Sequence, residues 1–326
     1  AHLPKVHQYL HDFVAAIKAK HPDTYVVGEA SSADPHLMVD YTTPGTDECD
    51  QVITFRTFAD DNTQDDPSFS DTFQPRPMDV TAYKQNTVGI QAALADTSLP
   101  TLYWNNHDMA RVATRYGDPD YPQASAKALA TALYLQRGIP IIYYGEELGL
   151  TNIRYHDIAD FEDQTVPTFV ASAQAAGKSK VEIMRMLNQT HKMAGRGPMQ
   201  WDNTVYHGFS DHLPWKHGDT DDMNAQAEIA DPDSIYHYYQ QLLQLKQCAP
   251  FTNGQFIMLG SAEQLFTYLI DDGQKQAAIV CNLSAQAQTY LLPFVGGKVL
   301  LVQGGATYRG RQVTLPAWSS LVVKSA

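Results

Sequence analysis

Through the first 250 residues, short β-branched runs take turns with amphipathic stretches. That alternation restricts the chain to a parallel sheet with helices outside it. Val6, Leu10, Val14 and Ile17 recur at helical spacing, and Lys18, Lys20 and His21 follow where cations suit the helix dipole. Tyr25-Val26-Val27 reads as a strand ending at Gly28-Glu29. Further strands are expected at 52–55, 101–104 and 139–144, with helices over 81–95, 123–136 and 234–247. Between Gly149 and Ser234 the pattern lapses, leaving one clear helical piece at 180–192. An unpatterned excursion of that length (151–233) inside such a domain is expected to build a site.

After about Pro250 the texture changes. Alternating runs at 256–259, 265–270, 277–282, 290–292, 298–302 and 319–324 are separated by turns such as Asp272-Gly273 and Gly296-Gly297. They read as a small antiparallel sandwich. The expected division is therefore an α/β part over 1–250 and an all-β domain over 251–326.

Composition removes several classes. Among 326 residues, 36 acidic against 23 basic side chains leave a formal charge of −13, which disfavours nucleic acid and anionic membrane as partners. No apolar run approaches the roughly 18 residues a spanning helix needs. Cys49, Cys248 and Cys281 form no close pair and have no zinc-ligand spacing. Each is expected to be a small apolar filler in a reducing, cytoplasmic setting. The acids Asp60, Asp61, Asp65, Asp66 and Asp71 lack the regular ligand spacing of an EF-hand and read as a solvated loop, so no metal site is expected in this chain.

In parallel barrels the reactive side chains stand just past the C-terminal ends of the strands. Glu29 and the triplet Asn106-His107-Asp108 both occupy that position. A lone Glu there is more often a structural salt bridge. A His-Asp pair past another strand strengthens the catalytic reading, because two strand ends converge on one mouth. Spacing alone leaves Glu29 and Asp108 open as the two carboxylates of a glycoside hydrolase.

Taken together, several motifs resemble the α-amylase family, glycoside hydrolase family 13. They are Val27-Gly28-Glu29, Trp104-Asn105-Asn106-His107-Asp108 with Arg111, the run from Gly138 to Gly149 (GIPIIYYGEELG), and Arg196-Gly197-Pro198-Met199-Gln200-Trp201. The subgroup most similar comprises oligo-1,6-glucosidase and dextran glucosidase, with trehalose-6-phosphate hydrolase and sucrose isomerase nearby. The resemblance implies an α/β fold, the C-terminal half of a (β/α)8 TIM barrel, followed by the family's C-terminal β domain. It implies retaining hydrolysis of α-1,6-linked gluco-oligosaccharides without a cofactor. Glu29 then matches the general acid/base, and Asp108 the third carboxylate, which grips sugar hydroxyls. His107, Arg111 and Arg196 match substrate-binding residues.

The pattern also has departures. Met109-Ala110 stand where Gln-Pro is usual, Gly197 replaces Thr, Tyr144 replaces Gln, and 54–58 lack the Phe-Gln-Phe-Glu-His run. These bear mainly on substrate choice. The nucleophilic Asp of the family has no match before Glu29, since neither Asp12 nor Asp23 follows a β-branched strand. The expectation is a chain holding four of eight barrel strands, inactive alone, that self-associates or pairs with the remaining half through open sheet edges. Any calcium would belong to that other half. Readings from a different class are a non-catalytic barrel relative and a half-site that only binds sugar. Tyr236, Tyr238 and Tyr239 read as core and rim, while Trp201 and Tyr155 are candidates for stacking on a sugar.

Overall fold

The computed structural model describes residues 2–58, 66–69 and 73–326. Of the acidic loop, Asp60, Asp61, Asp65 and Asp71 lie outside the described residues. Asp66 accepts a hydrogen bond from the Ser68 hydroxyl and lies 3.1 Å from Lys178, which together hold its carboxyl down at about 2.

The α/β part starts with helix α1 (Pro4–Lys18), which has Pro at its first turn and Lys18 in its last, paired to Asp50 at 3.2 Å. Strand β1 (Val27–Glu29) follows, then α2 (Pro35–Thr42), capped by the Asp34 side chain on the Leu37 N–H, and β2 (Gln51–Ile53). Strands β1 and β2 run parallel, with Val27 opposite Gln51 and Glu29 opposite Ile53. Gly28 is required here, because a Cβ would sit 2.6 Å from the Cys49 sulfur. After α3 (Val80–Ala93) come β3 (Thr101–Leu102), α4 (Val112–Arg115), α5 (Pro122–Tyr134) and β4 (Ile139–Pro140), which pairs parallel to β3.

Side chains bridge the two strand pairs, which share no backbone ladder. The Thr101 hydroxyl donates to the Val52 carbonyl at 3.1 Å, and the Tyr103 hydroxyl donates to the Thr54 carbonyl at 2.6 Å. Partners that advance together along both strands mean β2 and β3 also run parallel. All four expected strands are present, though shorter than the pattern suggests. Pro140 has no N–H to continue the ladder, and the chain leaves the sheet after one further bond, from the Ile141 N–H to the Leu102 carbonyl.

The excursion contains more helix than its sequence shows: α6 (Val166–Ala175), α7 (Lys180–Thr190), α8 (Lys192–Gly195) and α9 (Ala225–Ala230). Helix α10 (Ile235–Lys246), capped by Ser234, returns along α5.

The remaining strands are β5 (Gln255–Met258), β6 (Leu265–Asp271), β7 (Gln276–Asn282), β8 (Gln288–Leu291), β9 (Lys298–Gln303), β10 (Thr307–Arg309), β11 (Gln312–Leu315) and β12 (Ser320–Lys324). They form a five-stranded antiparallel sheet in the order β5-β6-β7-β12-β9 and a three-stranded sheet β10-β11-β8. Strands β6 and β7 are buried on both faces, and strand alternation sorts their residues. Phe266, Tyr268, Ile270, Ile279 and Cys281 point toward the helices of the α/β part. Leu265, Leu269, Ala278 and Val280 point toward the second sheet. One apolar core therefore runs unbroken from Trp104, Leu129 and Tyr134 to Tyr268 and Val322. Helix α5 is buried nearly all round because it lies between α10 and β7. Cys49 and Cys281 are the expected apolar fillers, but Cys248 is exposed, at the end of α10, where no core needs it.

Candidate active site

The strand ends carry the site. Beyond β3, Asn105 turns inward and its Oδ1 accepts the Val112 N–H at 2.9 Å. Asn106 turns back, and its Oδ1 accepts the Asp108 N–H at 2.8 Å. This double turn presents Asp108 outward, half-buried. Its Oδ1 accepts from Arg196 Nη2 at 2.9 Å and lies 3.6 Å from Lys192 Nζ, while Oδ2 lies 3.4 Å from His107 Nε2. Arg196 also donates through Nε to the His107 carbonyl at 2.7 Å, so one guanidinium fixes both the carboxylate and the loop that bears it.

Both cations come from α8 and its C-cap, four residues apart and so on one face. Gly195 makes their approach possible. A Cβ there would lie 2.7 Å from the Met109 carbonyl oxygen, so the helix backbone packs directly on the 105–111 loop.

Arg111 forms a second layer. It is only 2 % exposed, with Nη1 donating to the Tyr144 carbonyl at 2.7 Å and its guanidinium 4.7 Å from the Tyr144 ring and 5.2 Å from that of Tyr143. Burial draws its pKa down. The Tyr144 hydroxyl donates to the Gly197 carbonyl at 2.7 Å, which ties this layer to the segment holding Arg196.

The structure thus brings together Asp108, His107 and Arg196 in direct contact, with Arg111 behind them, linked through Tyr144 to Gly197 next to Arg196. Glu29 stands apart from that cluster. It is exposed at the end of β1 and has no hydrogen-bond or ion-pair partner among the described residues. The negative charge of Glu29 helps push the Tyr103 phenol upward, although burial contributes more. Tyr155 does not fit its expected stacking role: it is buried against Phe161 and donates to the Met193 carbonyl at 3.2 Å, so no ring face is free. Trp201 remains exposed. Lys192 was not picked out from the sequence, and Tyr143 stood there only within the run 138–149. The four-residue spacing of Lys192 and Arg196 puts them on one helix face but does not show that this face meets Asp108. Among the described residues, no group of three or more His, Cys, Asp or Glu is placed to hold a metal ion, and no helix is long and apolar enough to cross a membrane.

A parallel sheet whose C-terminal strand ends carry Glu29 and Asp108, the latter held by Arg196 and Lys192, backed by an antiparallel β domain, is the arrangement of α-amylase-type glycoside hydrolases. The family model "Alpha amylase, catalytic domain" matches residues 1–254, and a domain of unknown function, DUF3459, matches 262–322. The chain belongs to the α-amylase family. An oligo-1,6-glucosidase of Parageobacillus thermoglucosidasius is 30 % identical over 296 residues, covering 89 % of this chain and 52 % of that protein. A solved structure described as a family GH13_31 enzyme is 39 % identical, with a TM-score of 0.87, covering all of this chain and 58 % of that one. Trehalose-6-phosphate hydrolase from Bacillus licheniformis is 28 % identical, with a TM-score of 0.89, over 98 % of this chain and 59 % of that one. The chain spans about half the length of the curated relatives it matches.

Proposed function

We propose that this chain supplies the acid/base half of a retaining α-glucosidase that cuts short α-1,6-linked gluco-oligosaccharides. The observation that carries this reading is the grip of Arg196 and Lys192 on Asp108, which leaves a charged, oriented carboxylate beside His107 at a strand end. In that role Asp108 holds sugar hydroxyls as the ring flattens, with His107 and Arg196 lining the same pocket and Arg111 fixing its wall. Glu29, exposed at the end of β1, two strands along from β3, protonates the glycosidic oxygen and then activates water. The nucleophilic Asp comes from outside residues 1–326. In support, Asp12 lies on α1 and Asp23 in a turn, and neither ends a strand. The division into 1–250 and 251–326, a cytoplasmic setting, and calcium, if any, in the other half belong to the same proposal.

The partner is a further barrel segment or a second copy, seated on the outer edge of β1 and the apolar stripe of α1. Leu3, Tyr9 and Phe13 on that stripe are each more than 60 % exposed. The relative from B. licheniformis supports an alternative substrate, trehalose 6-phosphate.

Assays on isomaltose, panose, trehalose 6-phosphate and nitrophenyl α-glucoside test both levels. The 326-residue chain alone is expected to release no product, and turnover by it would show that the nucleophile lies within it. For a longer protein containing this chain, preference for trehalose 6-phosphate over isomaltose would replace the proposed substrate.

A further inference from the structure

Glu146 has no role in the reading above, yet it is the most deeply buried carboxylate among the described residues, at 3 % exposure. It opens a one-turn 3₁₀ helix, Glu146–Leu148, entered through Gly145 at a φ of +82°. Its Oε1 accepts from the Tyr134 hydroxyl on α5 and from the Tyr239 hydroxyl on α10 at 2.9 Å, while Oε2 is buried with no partner. A carboxylate is costly to bury, and an apolar side chain would fill this space without that cost. What the carboxylate adds is a fixed tether from the segment after β4 to two long helices. That segment carries Tyr144, whose carbonyl takes Arg111 and whose hydroxyl donates to Gly197, next to the Arg196 that holds Asp108.

We propose that Glu146 is a positioning residue: through Tyr134 and Tyr239 it fixes the 143–146 segment and so sets where Arg111 and Arg196 stand relative to Asp108. The proposal uses the sugar-holding role of Asp108 only for its functional meaning. Its test reads the side chains themselves, so a failed sugar assignment leaves it standing. The groups facing Glu146 are Tyr134 on α5, Tyr239 on α10, the neighbouring Glu147, and Arg111 from the loop before α4. Burial pushes Glu146 up to about 7 against the pull of its two tyrosine donors. Its charge therefore changes in an accessible range, and neutralising it weakens both tethers.

The experiment follows the side-chain Nε signals of Arg111 and Arg196 and the Glu146 carboxyl carbon by NMR from pH 5 to 9, in the full 326-residue chain. All three are expected to share one midpoint near pH 7. Glu146→Gln should abolish the step at both arginines while the signals of β6 and β7 stay unchanged. Tyr239→Phe removes a donor to the charged form and should move the midpoint up by about half a pH unit or more. That second variant carries the test if the first does not fold. Three results would overturn the proposal: an Arg196 signal that stays flat while Glu146 titrates, a Glu146 carboxyl that does not titrate in this window, or a step that survives in Glu146→Gln and so belongs to another group.

Discussion

At the residue scale, the contact between Arg196 and Asp108 decides function far more than stability. Both side chains are partly exposed, so the pair contributes about 0.2–1 kcal/mol to folding. Arg196→Ala should therefore move the thermal midpoint by only a few degrees. It removes the one donor that fixes both the carboxylate and the His107 carbonyl, so binding of deoxynojirimycin measured by calorimetry should fall at least tenfold. Unchanged affinity would remove Arg196 from the site. A second pair of residues acts through protons. Buried His191 accepts the Met193 N–H on Nδ1, and burial pulls it down to about 4. The unfolded chain binds its proton first, so this group lowers stability as pH falls from 6.5 toward 4. Glu146 has the opposite sign: with its folded value raised to about 7, its contribution is full below 4.5 and is lost as pH rises through 7. Between about 4.5 and 6.5 the two slopes oppose each other, each by up to about 3 kcal/mol. Urea unfolding across this range should be nearly flat for the native chain, should fall with pH in His191→Asn, and should rise with pH in Glu146→Gln. Parallel profiles in all three proteins would contradict this account.

At the scale of elements, two glycines in helices behave oppositely. Gly89 lies inside α3 with only ordinary contact around the position of a Cβ, the Pro35 ring at 3.8 Å. Gly89→Ala should raise stability by about 0.5–1 kcal/mol through helix propensity alone. Gly195→Ala meets the Met109 backbone, which cannot swing aside as a side chain can, and should cost about 1–3 kcal/mol while displacing Lys192 and Arg196 from Asp108. Denaturation midpoints of the two variants that moved in the same direction would refute the packing argument. Such backbone approaches explain what the sequence hid. The four barrel strands and the helices α1, α3, α5, α7 and α10 were legible because each carries a long apolar period or a β-branched run. Helix α6 was not, since it buries only Val166, Phe169 and Ala173, although the left-handed Gly177 after it was a stop signal. Strand β10 (Thr-Tyr-Arg) is an edge of the smaller sheet with one half-buried residue, and pairing with β11 rather than its own pattern makes it a strand. At the site, Asp108, His107 and Arg196 stood out as motif residues. The Lys192 contact spans 84 positions of chain and depends on α8 meeting the 105–111 loop, which no local pattern encodes.

At the scale of the whole molecule, the core shared by α5, α10 and the five-stranded sheet couples the two halves of the chain. Tyr268 donates to the Thr131 carbonyl, Trp318 Nε1 to Asp118 at 2.7 Å, and Lys84 to two carbonyls of the 262–263 turn. The chain should unfold in one calorimetric transition, and a form ending at residue 250 should be insoluble, because Leu129, Tyr134 and their neighbours would lose the cover of Phe266, Tyr268 and Ile279. Two well-separated transitions would break this coupling. The opposite surface is uncovered. Leu3, Val6, Tyr9 and Phe13 recur every three or four residues along α1 and are exposed, while Val14 is buried and Leu10 and Ile17 are half-buried. Beside them β1 offers an unpaired edge among the described strands, with Tyr25 and Val27 also exposed. The net charge of −13 opposes association at low salt and is screened as salt rises, whereas burial of the stripe is not weakened by screening. Light scattering of the chain should therefore show a mass that grows with ionic strength and concentration. Phe13→Asp together with Tyr9→Ser should return it to a monomer without lowering the unfolding midpoint, since both side chains already stand in water. A monomeric mass at every salt concentration, or variants that associate as before, would mean that this face is not where a partner sits.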